Sequence, residues 1–324
     1  MRISFILPVY NVAPYLRDCL DSLVAQTVRE WEAICVDDGS TDGGAVILDE
    51  YAARDCRIKV IHQRNAGVGA ARNNAIKSAS GEWISFVDPD DVVHPRMLEW
   101  MIEGGSKFSN VDVISFSNAQ FKDGTCPVWP ENDDPYEPVD LSVGITSRLA
   151  EMCVCGALYR RSVMPAHGFR AYSIGEDLLF VVECLVNAQT GVACNRKVYG
   201  YRRRAGSATH YKESSEKLLE HIAYTRSMVE VLSQSGRAVA PSIYRGLGLK
   251  MTESTVRGIL RLPVDERDRL WRIWYKELEW MRSVHVFPMW TTFVVACCDM
   301  IQLRCLAWFL CALPRWLKVN GIHR

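Results

Sequence analysis

Three carboxylates, Asp88, Asp90 and Asp91, crowd into four residues directly after the apolar run Trp83–Val87. Like charges held this close raise each other's pKa or recruit a counter-ion. The counter-ion that suits such oxygen donors is Mg²⁺ or Mn²⁺, which takes one or two protein carboxylates and fills its shell with water and phosphate. The implied chemistry is the handling of a phosphorylated or nucleotide-bearing substrate. Asp-Pro-Asp-Asp also suits a solvated turn, because Asp and Pro both favour turn positions. Its neighbours tip the reading toward a site.

Val36-Asp37-Asp38-Gly39-Ser40-Thr41-Asp42 sets two acids at the end of another apolar run, followed by a tight turn and N-cap residues. Capping accounts for Ser40, Thr41 and Asp42, but it does not require two consecutive acids; a carboxylate there can accept from a base N–H or a ribose hydroxyl. Asn65-Ala66-Gly67-Val68-Gly69-Ala70-Ala71-Arg72-Asn73 is a small-residue turn into a helix, where backbone N–H groups and Arg72 could meet a diphosphate. It departs from the dinucleotide fingerprint by placing Arg72 where the third glycine belongs, which argues against nicotinamide chemistry. Gly175-Glu176-Asp177 puts acids at a helix start, favoured by the helix dipole and equally suited to a fixed general base.

These clusters need rigid elements to hold them. Short apolar runs alternate with helical periods over the first hundred residues, the pattern of βαβ units and a largely parallel sheet. Strands are expected at Ile3–Val9, Trp31–Val36, Ile58–His62, Trp83–Val87 and Val111–Phe116. Leu16, Leu20, Leu23 and Val24 share one face of a helix that Pro14 can begin, and helices follow Asp42, Gly67 and Pro95. Ligands of open parallel sheets gather beyond the carboxyl ends of the strands, so Pro8–Asn11, Asp37–Ser40 and Asp88–Asp90 should line one crevice. Residues 130–140, acidic and proline-rich, read as an exposed loop. Two further strands, Val154–Tyr159 and Val198–Arg202, flank a helix over Asp177–Val186, and from about Ser214 the chain turns to long helical segments.

With 324 residues, 48% of them hydrophobic, the chain can bury a sizeable core as one or two domains. Thirty-eight basic residues balance 38 acidic ones, which gives no basis for nucleic-acid binding. The N-terminus enters a strand without a leader-like pattern, and the 12 scattered cysteines show no zinc spacing, as expected of reduced thiols in a cytoplasmic protein.

In joint order and spacing, Pro8-Val9-Tyr10-Asn11, Asp37–Asp42, Asn65–Asn73, Phe86–Asp91 and Gly175–Asp177 resemble the family 2 glycosyltransferases of GT-A fold, which build bacterial capsular, exopolysaccharide and lipopolysaccharide glycans. The resemblance spans roughly residues 1–205. It implies an α/β, Rossmann-like domain over 1–213, mainly parallel in its sheet with flanking helices, and a helical region over 214–324. It implies transfer of a hexosyl or N-acetylhexosaminyl group from a nucleotide-sugar, with UDP favoured, to a glycan or lipid-linked hydroxyl with inversion. Pro8 and Tyr10 would line the base pocket, Asp38 would bind the base, and Arg72 would approach the phosphates. Asp88 and Asp90 would form the Asp-x-Asp motif for ribose and divalent metal (Mn or Mg), with His210 the nearest candidate for a late metal ligand, and Asp177 would be the catalytic base. Arg202–Arg204 are either a clamp on the diphosphate or a solvated basic edge. Asn74-Ala75 departs from the family's usual glycine there and bears on helix packing. A non-catalytic nucleotide-sugar-binding partner and a nucleotidyltransferase are the alternatives.

Residues 286–324 carry an apolar, tryptophan-bearing stretch broken by Asp299 and Arg304 and followed by Arg315, Lys318 and Arg324. Such a stretch suits a helix lying in the headgroup region at the inner face of a membrane, or one packed on the protein or across a homodimer.

Overall fold

The computed structural model describes residues 2–130, 134–141, 153–204, 214–237, 255 and 258–283. Two compact units divide the chain, Met1–His210 and Tyr211–Arg324. His210 and residues 286–324 lie outside the described residues, as do the expectations placed on them.

The first unit is built on nine strands: β1 (Ile3–Val9), β2 (Trp31–Asp37), β3 (Ile58–His62), β4 (Trp83–Phe86), β5 (Val92–Val93), β6 (Val113–Lys122), β7 (Tyr136–Asp140), β8 (Ala157–Arg160) and β9 (Thr190–Arg203). They form one mixed sheet in the order β3-β2-β1-β4-β8-β6-β9-β5, with β7 also on β9. Parallel ladders join β3, β2, β1 and β4, and β6 to β9, while β8, β5 and β7 pair antiparallel. Every residue of β1 and β2 is buried, as expected of central strands covered on both faces.

Five helices of this unit are α1 (Ala13–Val24), α2 (Gly44–Arg54), α3 (Val68–Ser78), α4 (Met97–Lys107) and α5 (Glu176–Asn187). Proline in its first turn opens α1, which buries Leu16, Cys19, Leu20 and Leu23. In α2 the buried face is Gly44, Leu48 and Tyr51, so Val46 is left exposed.

Three segments differ from expectation. Residues 136–140 are not a free loop but β7, an edge strand that tolerates Pro138. Its anchor is the buried Tyr136, whose hydroxyl donates to the Trp100 carbonyl at 2.8 Å and whose ring fills the space a Cβ on Gly104 would occupy. The strand expected to end at Phe116 runs on to Lys122 across a register shift between Ser115 and Ser117. The two-residue β5 follows the acidic turn and pairs with Tyr199 and Gly200 of β9.

In the second unit Ser214 caps α6 (Ser215–Gln234), accepting from the Lys217 N–H at 3.3 Å. Leu218, Ile222 and Val229 of that helix form a core with Ile259, Leu262 and with Leu270 and Trp274 of α7 (Val264–Ser283). Among the described residues no helix is long and apolar enough to cross a membrane.

At the sheet end away from the acidic turn, Glu32 is a buried carboxylate that accepts from Ser4 Oγ at 2.7 Å, from Ser80 N and Oγ at 2.6 Å and from Lys59 Nζ at 2.6 Å. Burial alone would push its pKa up, but these bonds outweigh burial and hold it at about 2, below its ordinary 4.5. A depressed folded-state pKa gives stability that is present above about pH 4.5 and lost as pH falls toward 2. Glu32→Gln should therefore lower stability by about 1–3 kcal/mol at pH 7, and the gap should narrow by pH 3, read as urea midpoints at the two pH values.

Candidate active site

The loops after β1, β2 and β3 are stitched together by short polar side chains. Asn11, at φ 50°, donates its N–H to Ser40 Oγ at 3.3 Å and accepts from Thr41 N at 2.8 Å, and Ala13 N donates to Asp42 Oδ2 at 2.8 Å. Asp37 accepts from Ser40 N at 2.9 Å and pairs with His62 at 3.0 Å. Burial opposes ionisation of Asp37, yet those bonds keep its carboxyl below the ordinary range, and the Asp37 contact raises His62.

Asp38 is buried and faces the turn into α3. Its Oδ1 accepts from Gln63 Nε2 at 2.7 Å and Ala66 N at 2.8 Å, and its Oδ2 from Gly67 N at 2.9 Å. The carboxylate thus fixes the small-residue turn and keeps capacity for a further donor on Oδ2. Gly39, at φ 77°, is needed here, since a Cβ would stand 3.1 Å from Asn65 N. Pro8 is buried within β1, and Tyr10 beside it is 49% exposed at the mouth of the loops.

Arg72 lies buried in α3. Its guanidinium donates to Asp88 Oδ1 at 3.1 Å and to Glu176 Oε1 at 2.8 Å, joining the end of β4 to the first residue of α5. Burial and the neighbouring Asp177 push the Glu176 carboxyl up, and Arg72 pulls it back. Asp177, next along α5 and half-buried, accepts from Leu178 N at 2.8 Å through Oδ1. Gly175, left-handed at φ 74°, turns the chain into this helix.

The acidic turn is held from behind by β9. Tyr199 Oη donates to Asp91 Oδ2 at 2.7 Å and accepts from Asp88 N at 3.1 Å, and Arg202 N donates to Asp91 Oδ1 at 2.7 Å. Burial, with Asp88 and Asp90 nearby, pushes Asp91 up to about 8 against those two bonds. Asp91 is buried and hydrogen-bonded within the fold, whereas the Asp88 and Asp90 side chains are 34% and 19% exposed. Asp88 Oδ2 and Asp90 Oδ1 have no protein partner among the described residues, whereas Asp90 Oδ2 accepts from Arg204 Nε at 2.7 Å. No three Asp, Glu, His or Cys side chains among the described residues form a closed metal cage. Two carboxylates with one open oxygen each fit a hard cation that completes its shell with water and phosphate.

The structure therefore brings Asp38, Arg72, Asp88, Asp90 and Asp177 to the carboxyl ends of β1, β2 and β4. Sequence reasoning missed Tyr199 and the pairing of Glu176 with Arg72. The Tyr-Gly-Tyr-Arg run was legible as a strand, but nothing local shows what a strand tyrosine reaches.

The profile of glycosyl transferase family 2 matches residues 4–168, and the chain belongs to this family. It is similar to glycosyltransferase GlyA of Streptococcus pneumoniae, 30% identical over 267 residues that make up 73% of this chain but 38% of that protein. The uncharacterized glycosyltransferase EpsJ of Bacillus subtilis is 44% identical over 239 residues, 67% of this chain and 66% of EpsJ. The fold is that of S. aureus TarS residues 1–349 solved with UDP, at TM-score 0.67 and 21% identity over 86% of this chain and 79% of that one. This is the GT-A fold that the sequence motifs imply.

Because Arg72 is a buried cation between two carboxylates, removing it strands charge in the interior. Arg72→Met should cost about 3–5 kcal/mol, and Glu176→Gln in the same chain should recover part of that, measured as a double-mutant cycle in urea.

Proposed function

We propose that this glycosyltransferase moves a sugar from a UDP-sugar to a hydroxyl of a glycan or lipid-linked acceptor in surface polysaccharide synthesis, with inversion. The observation that carries this reading is the Arg72 bridge, which links Asp88, beside the open oxygen of Asp90, to the helix start that bears Asp177. The complexes of TarS with UDP and with UDP-GlcNAc support a uridine donor. The two relatives are named glycosyltransferases without a stated donor or acceptor.

In this reading residues 1–213 bind and activate the donor. Tyr10 and Pro8 flank the base, the remaining acceptor capacity of Asp38 Oδ2 takes a base N–H, and Asp88 takes a ribose hydroxyl. A divalent cation held by Asp90 would neutralise charge on the departing diphosphate. Arg72 acts through Asp88, holding its carboxylate in place. Asp177 accepts the proton of the acceptor hydroxyl as that oxygen attacks the anomeric carbon opposite the diphosphate. The reaction then runs in the cytoplasm at the inner membrane face, with residues 286–324 touching lipid.

Asp177→Asn should lower turnover by about 10²-fold or more while UDP affinity stays near that of the parent in calorimetry. Loss of UDP binding with unchanged residual turnover would instead place Asp177 in the nucleotide pocket. Chelation should abolish turnover, Mn²⁺ or Mg²⁺ should restore it, and Asp90→Asn should remove the metal dependence of UDP binding. Full activity of Asp90→Asn in chelator would exclude the metal role.

A further inference from the structure

Two arginines, Arg72 and Arg204, pair with the acidic turn. Arg72 is 5% exposed and shared between Asp88 and Glu176, and without it the buried Glu176 carboxylate would be stranded in the interior. Arg204 follows the last residue of β9, pairs with Asp90 Oδ2 at 2.7 Å and lies 5.0 Å from the centre of the Tyr15 ring. The backbone beside it is fixed independently. Arg202 donates Nε to the Asp90 carbonyl at 2.8 Å, pairs with Asp18 at 2.8 Å and sits 4.8 Å from the Phe121 ring centre. The turn therefore stays in place whether or not Arg204 remains on the Asp90 carboxylate.

Resting on the metal role proposed for Asp90, we propose that Arg204 is an exchangeable cation on that carboxylate, yielding it to the divalent metal and passing to the donor's diphosphate. The geometry gives the reason. Asp90 carries the oxygen that a metal needs, and the guanidinium already neutralises it. A divalent ion held by Asp90 would bring twice the charge to the same carboxylate and displace the weaker partner. The released guanidinium has a planar fork that matches phosphate oxygens, and Tyr15 offers a ring face near which it can turn. Before the donor arrives, Arg204 keeps the Asp90 carboxylate paired. Afterwards it adds positive charge where the leaving group departs.

The exchange has a signature that a merely structural arginine lacks, because removal changes two affinities in opposite directions. In Arg204→Gln, Mn²⁺ alone should bind about tenfold tighter, since its competitor is gone, while UDP in saturating Mn²⁺ should bind about tenfold weaker. Arg204→Lys keeps the charge without the fork; it should hold Mn²⁺ affinity near that of the parent and still weaken UDP. Free Mn²⁺ is counted by electron paramagnetic resonance, UDP binding by calorimetry, and a melting curve confirms that each variant is folded. Mn²⁺ affinity unchanged or weakened in Arg204→Gln overturns the exchange, as does unchanged UDP affinity. If Arg204→Gln does not fold, Arg204→Lys decides, since UDP affinity equal to the parent overturns the proposal. A parent protein that takes up no Mn²⁺ with or without UDP removes the metal role of Asp90 and the exchange together. Parent binding that is lost in Asp90→Asn, without the opposite shifts in Arg204→Gln, removes the exchange alone.

Discussion

The site depends on one buried cation. The Arg72 guanidinium is out of water, where an isolated charge costs several kcal/mol, about what two hydrogen-bonded carboxylates can offset. Those carboxylates come from the end of β4 and the start of α5, which also meet through the Phe86 and Phe180 rings, 5.4 Å apart. The bridge therefore ties Asp88 to the helix that carries Asp177. Neither side can shift without unpairing a charge in the interior, which is the kind of rigidity that positioned catalytic groups need.

A second restraint comes from β9. Its C-terminal portion reaches Asp91 twice, through the Tyr199 hydroxyl and through the Arg202 backbone N–H. Asp91 shows how one acidic run divides its labour: the buried member is hydrogen-bonded and pushed toward neutrality, while Asp88 and Asp90 keep open oxygens. The register shift of β6 against β9 between Ser115 and Ser117 lets β9 continue beyond its straight ladder and come beneath the turn. The two-residue β5 records the same contact on the backbone.

The match to GlyA covers 73% of this chain but 38% of that protein. The loops after β1, β2 and β3 hold one another through Asn11, Ser40, Asp38 and the turn at Ala66–Gly67, all within the segment that matches the family profile. These contacts use backbone N–H groups and short polar side chains. They set the shape of the three loops.

The sequence by itself determined the central strands, the buried face of α1, the position of α5 and the order of the acidic motifs. Each rests on residues a few positions apart: hydrophobic period, turn chemistry and helix starts act locally. It did not show that Pro138 sits in an edge strand, because composition there favours a loop and the compensating slot for Tyr136 is made by Gly104, on another helix. Nor did it show that Arg72 is buried between Asp88 and Glu176, that Asp38 spends three hydrogen bonds on its own fold, or that Tyr199 braces Asp91. Only the tertiary structure decided these pairings. Arg72 and Glu176 are 104 residues apart and Asp90 and Arg204 are 114 apart, so which oxygen meets which cation is fixed by the sheet order and not by any local preference of the residues.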